Sequence, residues 1–453
     1  MKIGIVSLGC PKNQVDSEVM VGLLKKAGHS MTASERDAEA IIINTCTFIR
    51  EATEESIETI LELSALREKG NLRHLVVAGC MAQRYKASLL KELPEVDAYV
   101  GTGEFDRIAD VLAGLEKKKD VAEHEVAAPR YIYSCDTPRV RFTPRHWAYL
   151  KISEGCDNHC TYCIIPDLRG RMRSRPIKDV KAEAADMAAQ GVKELCLIAQ
   201  DTTAYGADGR GRRSLAGLLR EVEKVKGIEW VRLLYTHPGH FTPELIDFLS
   251  HGGKAVRYLD IPIQHIDADI LKAMGRGTKP DAVKRLIDSL RKKVPGVALR
   301  TSLMVGFPGE TREKFMALLR FVKEYEFDHV GVFGYSDEEG AASSRLEKKV
   351  SDELIAERLD RLMKAQAKVS LKKNKARVGQ TFKVLVDGPS KESDLLLGGR
   401  AYFQAPEIDG VVYITDGDAV PGRFAEVEVT EAHEYDLVGR AVAPGQGAKE
   451  PRS

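Results

Sequence analysis

Six of the eight cysteines fall into two patterns that can hold metal. Cys156, Cys160 and Cys163 lie within eight residues, spaced CxxxCxxC, directly after the apolar run AYLKI. Three thiolates on one short loop after a strand can wrap a single metal centre. Zinc there needs a fourth ligand, which zinc ribbons draw from a second CxxC that this chain lacks, although His159 inside the loop can be argued for the place. A four-iron cluster on three cysteines instead leaves one iron open, where a substrate or cofactor binds.

Cys10, Cys46 and Cys80 are far apart, yet each closes an apolar run: GIVSLGC, IIINTC and LVVAGC. Taken singly, each reads as a small buried residue. If the runs are parallel strands of one sheet, their ends share the edge at which open α/β folds bind ligands, and the three thiols converge on a second metal centre. Cys196, inside ELCLIAQ, reads as core, and Cys135 has no role legible from its surroundings.

These cysteines need elements to hold them. Strands are expected at Lys2 to Ser7, Ala40 to Asn44, His74 to Ala78 and Ala98 to Gly101, with a helix carrying Val15, Val19, Leu23 and Ala27 and stopping at Gly28. That is an open parallel α/β sheet domain, residues 1–117. A linker is expected over 118–141, beginning within the charged run EKKKD. From 142 to 372, six strand and helix alternations form a partial (β/α)6 barrel, with strands near Ala148 to Ile152, Glu194 to Ala199, Val231 to Tyr235, Arg257 to Ile261, Val297 to Val305 and His329 to Phe333. A charged helix over Ser351 to Arg377 then leads into a small antiparallel β-barrel, residues 375–442. Polar residues follow the barrel strands: Gln200 and Asp201, Thr236 and His237, Gln264 and His265, and Gly306 to Glu310 (GFPGE). Each reads equally as a cap or turn and as part of a site at the C-terminal face of the barrel.

A chain of 453 residues exceeds what one core supports, and 43% apolar with 30% charged residues is ordinary globular composition. The opening MKIGIVSLGCPKN has too short an apolar run for a signal peptide, and no stretch approaches the roughly 20 apolar residues of a membrane span. The expectation is a cytoplasmic protein without membrane contact, in which cysteines act as ligands before disulfides are considered.

The CxxxCxxC loop, with Tyr162 before its last cysteine, resembles the radical S-adenosylmethionine (SAM) signature. The resemblance implies a partial βα barrel whose cluster iron chelates the amino and carboxylate groups of SAM and cleaves it to a 5′-deoxyadenosyl radical. It also implies that Gly306, Phe307, Pro308, Gly309 and Glu310 match a SAM-contacting glycine-rich strand end, and that Gln200 lies near the ribose. The whole chain resembles the methylthiotransferases, which join an N-terminal cluster domain, a radical SAM barrel and a C-terminal TRAM domain. That implies two 4Fe-4S clusters, one on Cys10, Cys46 and Cys80 and one on Cys156, Cys160 and Cys163, with SAM as radical source and methyl donor.

Within the family, SLGCPKNQVDSE (Ser7 to Glu18), YLKISEGC (Tyr149 to Cys156) and CIIPDLRGRMRSRP (Cys163 to Pro176) resemble the branch that modifies the β-carbon of an aspartate in small-subunit ribosomal protein number twelve. Relatives that modify tRNA typically show a GCQMN-like stretch where this chain has Gly9-Cys10-Pro11-Lys12-Asn13. Gln14 departs from the hydrophobic residue of many relatives. Implied partners are the ribosomal protein, free or on its subunit, an electron donor and a sulfur source.

Charge bears on the partner independently. Between Gln380 and Arg440 there are twelve Asp and Glu against five Lys and Arg, a surplus of seven negative charges in a chain whose net charge is +1. Such a domain repels RNA and steers a basic protein, unless its acids form only a solvated surface. The basic run RGRMRSR (Arg169 to Arg175) can face phosphate, pair with carboxylates or line the SAM site, and LKKNKAR near 371 to 377 reads as a solvated helix end. Two competing readings remain: a tRNA methylthiotransferase of the same architecture, and a non-catalytic zinc-stabilised adaptor that docks on ribosomes.

Overall fold

In the computed structural model, the described residues are 1–85, 88–117, 126–209, 214–393 and 395–443. The first β-branched runs form strands β1 (Lys2–Ser7), β2 (Ser30–Met31), β3 (Ala40–Thr45), β4 (His74–Gly79) and β5 (Ala98–Val100), paired in parallel in the order β2-β1-β3-β4-β5. The two-residue β2 has too short a run to be visible in the sequence. Helix α1 (Pro11–Lys26) starts at Cys10, with Pro11 at its first position, where no N–H is needed. Eleven of its sixteen residues are buried, including Lys12, Asn13, Asp16, Ser17 and Glu18. A helix buried all round lies between two bodies. Met20 and Leu24 pack into the first sheet's core, while Val15 and Val19 pack against the central domain.

The central domain contributes β6 (Trp147–Lys151), the two-residue pair β7 (Ser153–Glu154) and β8 (Arg173–Ser174), then β9 (Glu194–Ile198), β10 (Trp230–Leu233), β11 (Ala255–Asp260), β12 (Ala298–Val305) and β13 (His329–Gly334). Six of these make one parallel sheet in the order β13-β12-β11-β10-β9-β6. Alternation along the strands sorts its faces. Ala148, Leu150, Leu195, Leu197, Val231 and Leu233 pack under the flanking helices, while Trp147, Tyr149, Cys196, Ile198, Trp230 and Tyr258 face the other way.

That second face is covered by the C-terminal barrel, built from β14 (Thr381–Pro389), β15 (Leu397–Ala401), β16 (Val412–Ile414), β17 (Phe424–Ala432) and β18 (Leu437–Val442). It closes in the order β14-β15-β16-β18-β17, with every pairing antiparallel except the parallel β16–β18. The parallel pair departs from the wholly antiparallel barrel expected of hairpin-like turns: the chain leaves β16 for β17 on the far side and returns to β16 only with β18. The segment expected as a linker has no helix or strand from 126 to 146; its residues 118–125 lie outside the described part. It binds α1 through Val140 N–H to Glu18 O (3.0 Å) and through Arg139, which pairs with Glu18 (2.6 Å) and Glu183 (2.7 Å).

Buried ions fasten the barrel to the sheet. Glu194 accepts from Arg232 (2.7 Å) and Arg400 (2.5 Å), Tyr149 donates to Glu407 (2.7 Å) and Tyr258 to Asp409 (2.6 Å). Both tryptophans, Trp147 and Trp230, lie at this interface. Glu194→Ala leaves Arg232 buried without an anion and takes from Arg400 one of its two, a cost of about 3–5 kcal/mol. The denaturant midpoint followed by tryptophan fluorescence should fall accordingly, and less for Glu194→Gln; an unchanged midpoint in both variants contradicts this account.

Candidate cluster sites and the charges between them

The strand ends of the first sheet bring Cys10, Cys46 and Cys80 together. Cys46 follows β3 and Cys80 follows β4 directly, while Cys10 follows β1 after Leu8 and Gly9. Gly9 has φ +85°, and a Cβ there would lie 2.6 Å from the Cys46 Cβ, so only glycine allows the two loops this approach. Asn13 ties the loops, donating to Leu8 O (3.1 Å) and Thr45 O (2.8 Å). Burial pushes the Cys46 thiol up to about 12, reinforced by Cys80 and Cys10. Burial also raises Cys80, against the pull of Arg169.

The second triad sits on the loop after β6 and β7. Cys156 N–H donates to Gly170 O (3.1 Å), Cys163 N–H to Cys160 O (3.1 Å), and Thr161 anchors the loop on Met274 O (3.0 Å) and Ala273 O (2.8 Å). Burial pushes Cys163 up to about 12, reinforced by Cys160 and Cys156. Arg276 donates to Cys160 Sγ (3.4 Å). Neither triad closes on one ion. Among the described residues only Asp201, His237 and His240 bring three ligand atoms within 4.8 Å of one another, whereas tetrahedral zinc needs its sulfurs about 3.8 Å apart. His159 is exposed and joins no such set. Thiols that raise one another's pKa yet stand too far apart for a single ion fit the wider span of an iron–sulfur cluster.

A buried charge network joins the triads. Asp16, on α1, pairs with Lys151 (2.5 Å) and Arg169 (2.6 Å); Glu154, two residues before Cys156, pairs with Lys151 (2.6 Å) and accepts from Gln200 (2.6 Å). Arg169 also reaches Cys80 Sγ (3.7 Å) and Asn13 Oδ1. Burial opposes the Glu154 carboxylate, but Lys151 and Arg169 hold it at about 2. The run RGRMRSR therefore turns largely to carboxylates, since Arg171 pairs with Asp157 (2.7 Å) and Arg175 with Asp179 (2.7 Å) and Glu183 (2.5 Å). The helix end near 371–377 is solvated at Lys372 and Lys375, which are exposed, but Lys373 (2.8 Å) and Arg377 (3.0 Å) turn inward to pair with Asp328.

The strand-end residues divide. Gln200 leaves Oε1 buried without a partner, and His237 does the same with Nε2, while its Nδ1 accepts from Gly239 N–H (3.1 Å). Two orphaned polar atoms beside the second cysteine loop fit a polar cofactor. Asp201 braces that loop, accepting from Asn158 (2.7 Å) and pairing with His240 (2.7 Å). In GFPGE, Glu310 Oε2 is held by Arg358 (3.0 Å) and the Gly306 N–H while Oε1 stays buried without a hydrogen-bond partner, and Phe307 is fully buried against Tyr335 (5.3 Å). Gly306 itself faces helix Asp352–Lys375, where a Cβ would lie 2.2 Å from Ile355. Pro308 and Gly309 complete the turn, with open space at Gly309. Arg276, Glu154 and Lys151 escape sequence reading, because nothing local distinguishes them from surface charges. The polar residues of α1 are different: a helix with Lys, Asn, Asp and Glu on the side of Val15 and Val19 signals a buried polar contact. Cys196 is core, and Cys135 donates its backbone N–H to Asp179 (2.7 Å).

Residues 2–101 match the family model described as uncharacterized protein family UPF0004, residues 150–322 the radical SAM superfamily and residues 378–442 the TRAM domain. The chain is 48% identical over 441 residues to a ribosomal protein uS12 methylthiotransferase RimO from Trichlorobacter lovleyi, covering 97% of this chain and 98% of the relative. It is 47% identical over 442 residues to the RimO of Geobacter sulfurreducens, covering 98% and 99%. Among solved structures it resembles the radical S-adenosylmethionine methyltransferase TsrM from Kitasatospora setae, solved with cobalamin and a [4Fe-4S] cluster bound. The TM-score is 0.55 at 16% identity over 74% of each chain, a likeness of fold.

Burial, with Arg276 nearby, presses His237 down from 6.5 to about 3, so the folded state resists its protonation. An unfolded chain binds that proton below about 6.5, so the stability of the neutral ring is lost as pH falls from 6.5 towards 3. Between pH 7 and 5 the loss is on the order of 2 kcal/mol. Denaturant midpoints at the two pH values should differ more for the parent protein than for His237→Asn; equal differences reject this origin.

Proposed function

Because the chain belongs to the ribosomal protein uS12 methylthiotransferase (RimO) family of radical SAM enzymes, we propose that it places a methylthio group on the β-carbon of an aspartyl residue of uS12, free or on the small ribosomal subunit. The observation that carries the reading is the juxtaposition of two cysteine triads with one buried charge network between them. Cys10, Cys46 and Cys80 hold one 4Fe-4S cluster, and Cys156, Cys160 and Cys163 hold the other. When bound, the second cluster and SAM supply the radical that removes hydrogen from an unactivated carbon, and the first supplies a place for sulfur. An external electron donor and sulfur source complete the reaction.

The chain's own residues position and insulate. Asp201, through Asn158, holds the second cysteine loop against β9, and Arg276 gives Cys160 a charged hydrogen-bond donor. Gln200 and His237 offer a free acceptor and a free ring nitrogen for SAM. Lys151 and Arg169 pair with Asp16 and Glu154 out of water and keep Glu154 ionised. The working limits are 1–117 for the N-terminal cluster domain, 142–372 for the radical SAM barrel and 375–442 for the TRAM domain.

The TRAM domain supports a basic protein partner over RNA. Asp409 has its carboxylate buried against the sheet, and Asp387 pairs with Arg400 (2.8 Å), so these acids fasten the domain. Glu392, Asp416, Asp418, Glu431 and Glu434 remain exposed. An outward acidic surface repels phosphate and steers a basic ribosomal protein, most strongly at low salt. No described helix is long and apolar enough to cross a membrane, and the proposed site of action is the cytoplasm, with the ribosome.

Mass spectrometry of uS12 after anaerobic incubation with reconstituted enzyme, SAM, sulfide and a reductant should show a methylthio increase on one aspartate. 5′-Deoxyadenosine without that increase contradicts the substrate assignment. Cys156→Ala should abolish SAM cleavage, whereas Cys10→Ala should spare cleavage and block sulfur transfer. Equal loss of cleavage in both, with the fold intact, contradicts separate roles for the triads.

A further inference from the structure

Lys12 stands in the first turn of α1, two residues after Cys10, and is only 8% exposed. Its stem is buried while Nζ keeps a narrow access to solvent; an ammonium group there brings a full charge and three donors, and holding one mostly out of water without an anion is costly. Yet among the described residues its Nζ forms no hydrogen bond and no ion pair, not even with Cys10 Sγ. Its close neighbour is the ring of Tyr235, with Nζ 3.1 Å from the centroid. A cation over a ring face is stabilised, but an aromatic ring does not replace a counter-ion.

The carboxylates around Lys12 are already engaged. Asp16 is held by Lys151 and Arg169, and Glu154 by Lys151 and Gln200. Asp260 is held by Arg300 (3.1 Å) and by the Tyr235 N–H (2.9 Å). That last bond fixes Tyr235 at φ +59°, a left-handed conformation that strains a bulky residue and collects at functional sites. An unpaired cation and a strained residue therefore meet at one place, between the first cysteine triad and the C-terminal ends of β10 and β11.

Resting on the uS12 reading above, we propose that Lys12 is a specificity-determining residue: it receives the carboxylate of the target aspartyl side chain and selects that residue over its amide. The Cys10 sulfur lies within Coulombic reach of the ammonium but accepts no hydrogen bond from it, and the ring that Nζ covers belongs to a barrel strand end, which leaves the three donors for a substrate anion. The bound carboxylate supplies the missing counter-ion and fixes the carbon next to it relative to both triads.

The test is calorimetric binding of unmodified uS12, carrying either Asp or Asn at the target position, to the reconstituted enzyme and to its Lys12→Met and Lys12→Arg variants, with iron content measured in each. The parent should bind the Asp form at least about 30-fold more tightly than the Asn form, as expected for a buried charge pair that loses one partner. Lys12→Met should bind the two forms within about twofold of each other, and Lys12→Arg should restore part of the preference. Equal binding of both forms by the parent, or an undiminished preference in Lys12→Met, overturns the proposal. Loss of iron from Lys12→Met together with equal binding by the parent assigns Lys12 to the cluster instead. If the parent binds neither form, the uS12 reading itself falls, and this role with it.

Discussion

The pairing of Asp16 with Lys151 and Arg169 is the contact on which the arrangement of the two sites depends. Asp16 belongs to the helix that begins at Cys10, Lys151 to the strand that leads into the second cysteine loop, and Arg169 to the segment that leaves it. Buried ions of this kind add little net stability over well-packed apolar residues, but they tolerate few geometries, because each misplacement strands a charge away from water. Here that intolerance sets the position of one cysteine triad relative to the other.

The same logic recurs at the opposite end of the central sheet. Glu194 between Arg232 and Arg400 locks the TRAM barrel onto the face left open by a sheet of six strands. A parallel sheet is stable with both faces covered, and the side away from the helices is covered by two different bodies: α1 contributes Val15 and Val19, and the TRAM barrel contributes Val384, Phe403 and their neighbours. The terminal domains thus complete the central one.

Thiols pushed up by burial are poor ligands until a metal takes their protons, and the surrounding cations answer that requirement. Arg169 stands beside Cys80 and Arg276 beside Cys160, one guanidinium for each triad. Hydrogen bonds to the sulfurs of an iron–sulfur cluster raise its reduction potential. On the two-cluster reading proposed above, one such donor at each site makes the two environments separately adjustable.

The sequence by itself determined the parts whose signals are local. Strand periodicity, the CxxxCxxC spacing and the apolar runs closed by Cys10, Cys46 and Cys80 are each written within a few residues, and they sufficed for three domains, for three cysteines at strand ends and for three on one loop. It was less informative about GFPGE, because a turn that binds a ligand and a turn that binds a helix share the same residues, and here Arg358 holds Glu310 Oε2 while Phe307 is buried. Only the tertiary structure decided which charges are buried and whom they meet. Arg276 reaches Cys160 across 116 residues and Arg169 reaches Asp16 across 153. Lys12 is left without an anion because folding has engaged every carboxylate near it elsewhere. A charge's partner is a property of the space around it, which no local spacing encodes.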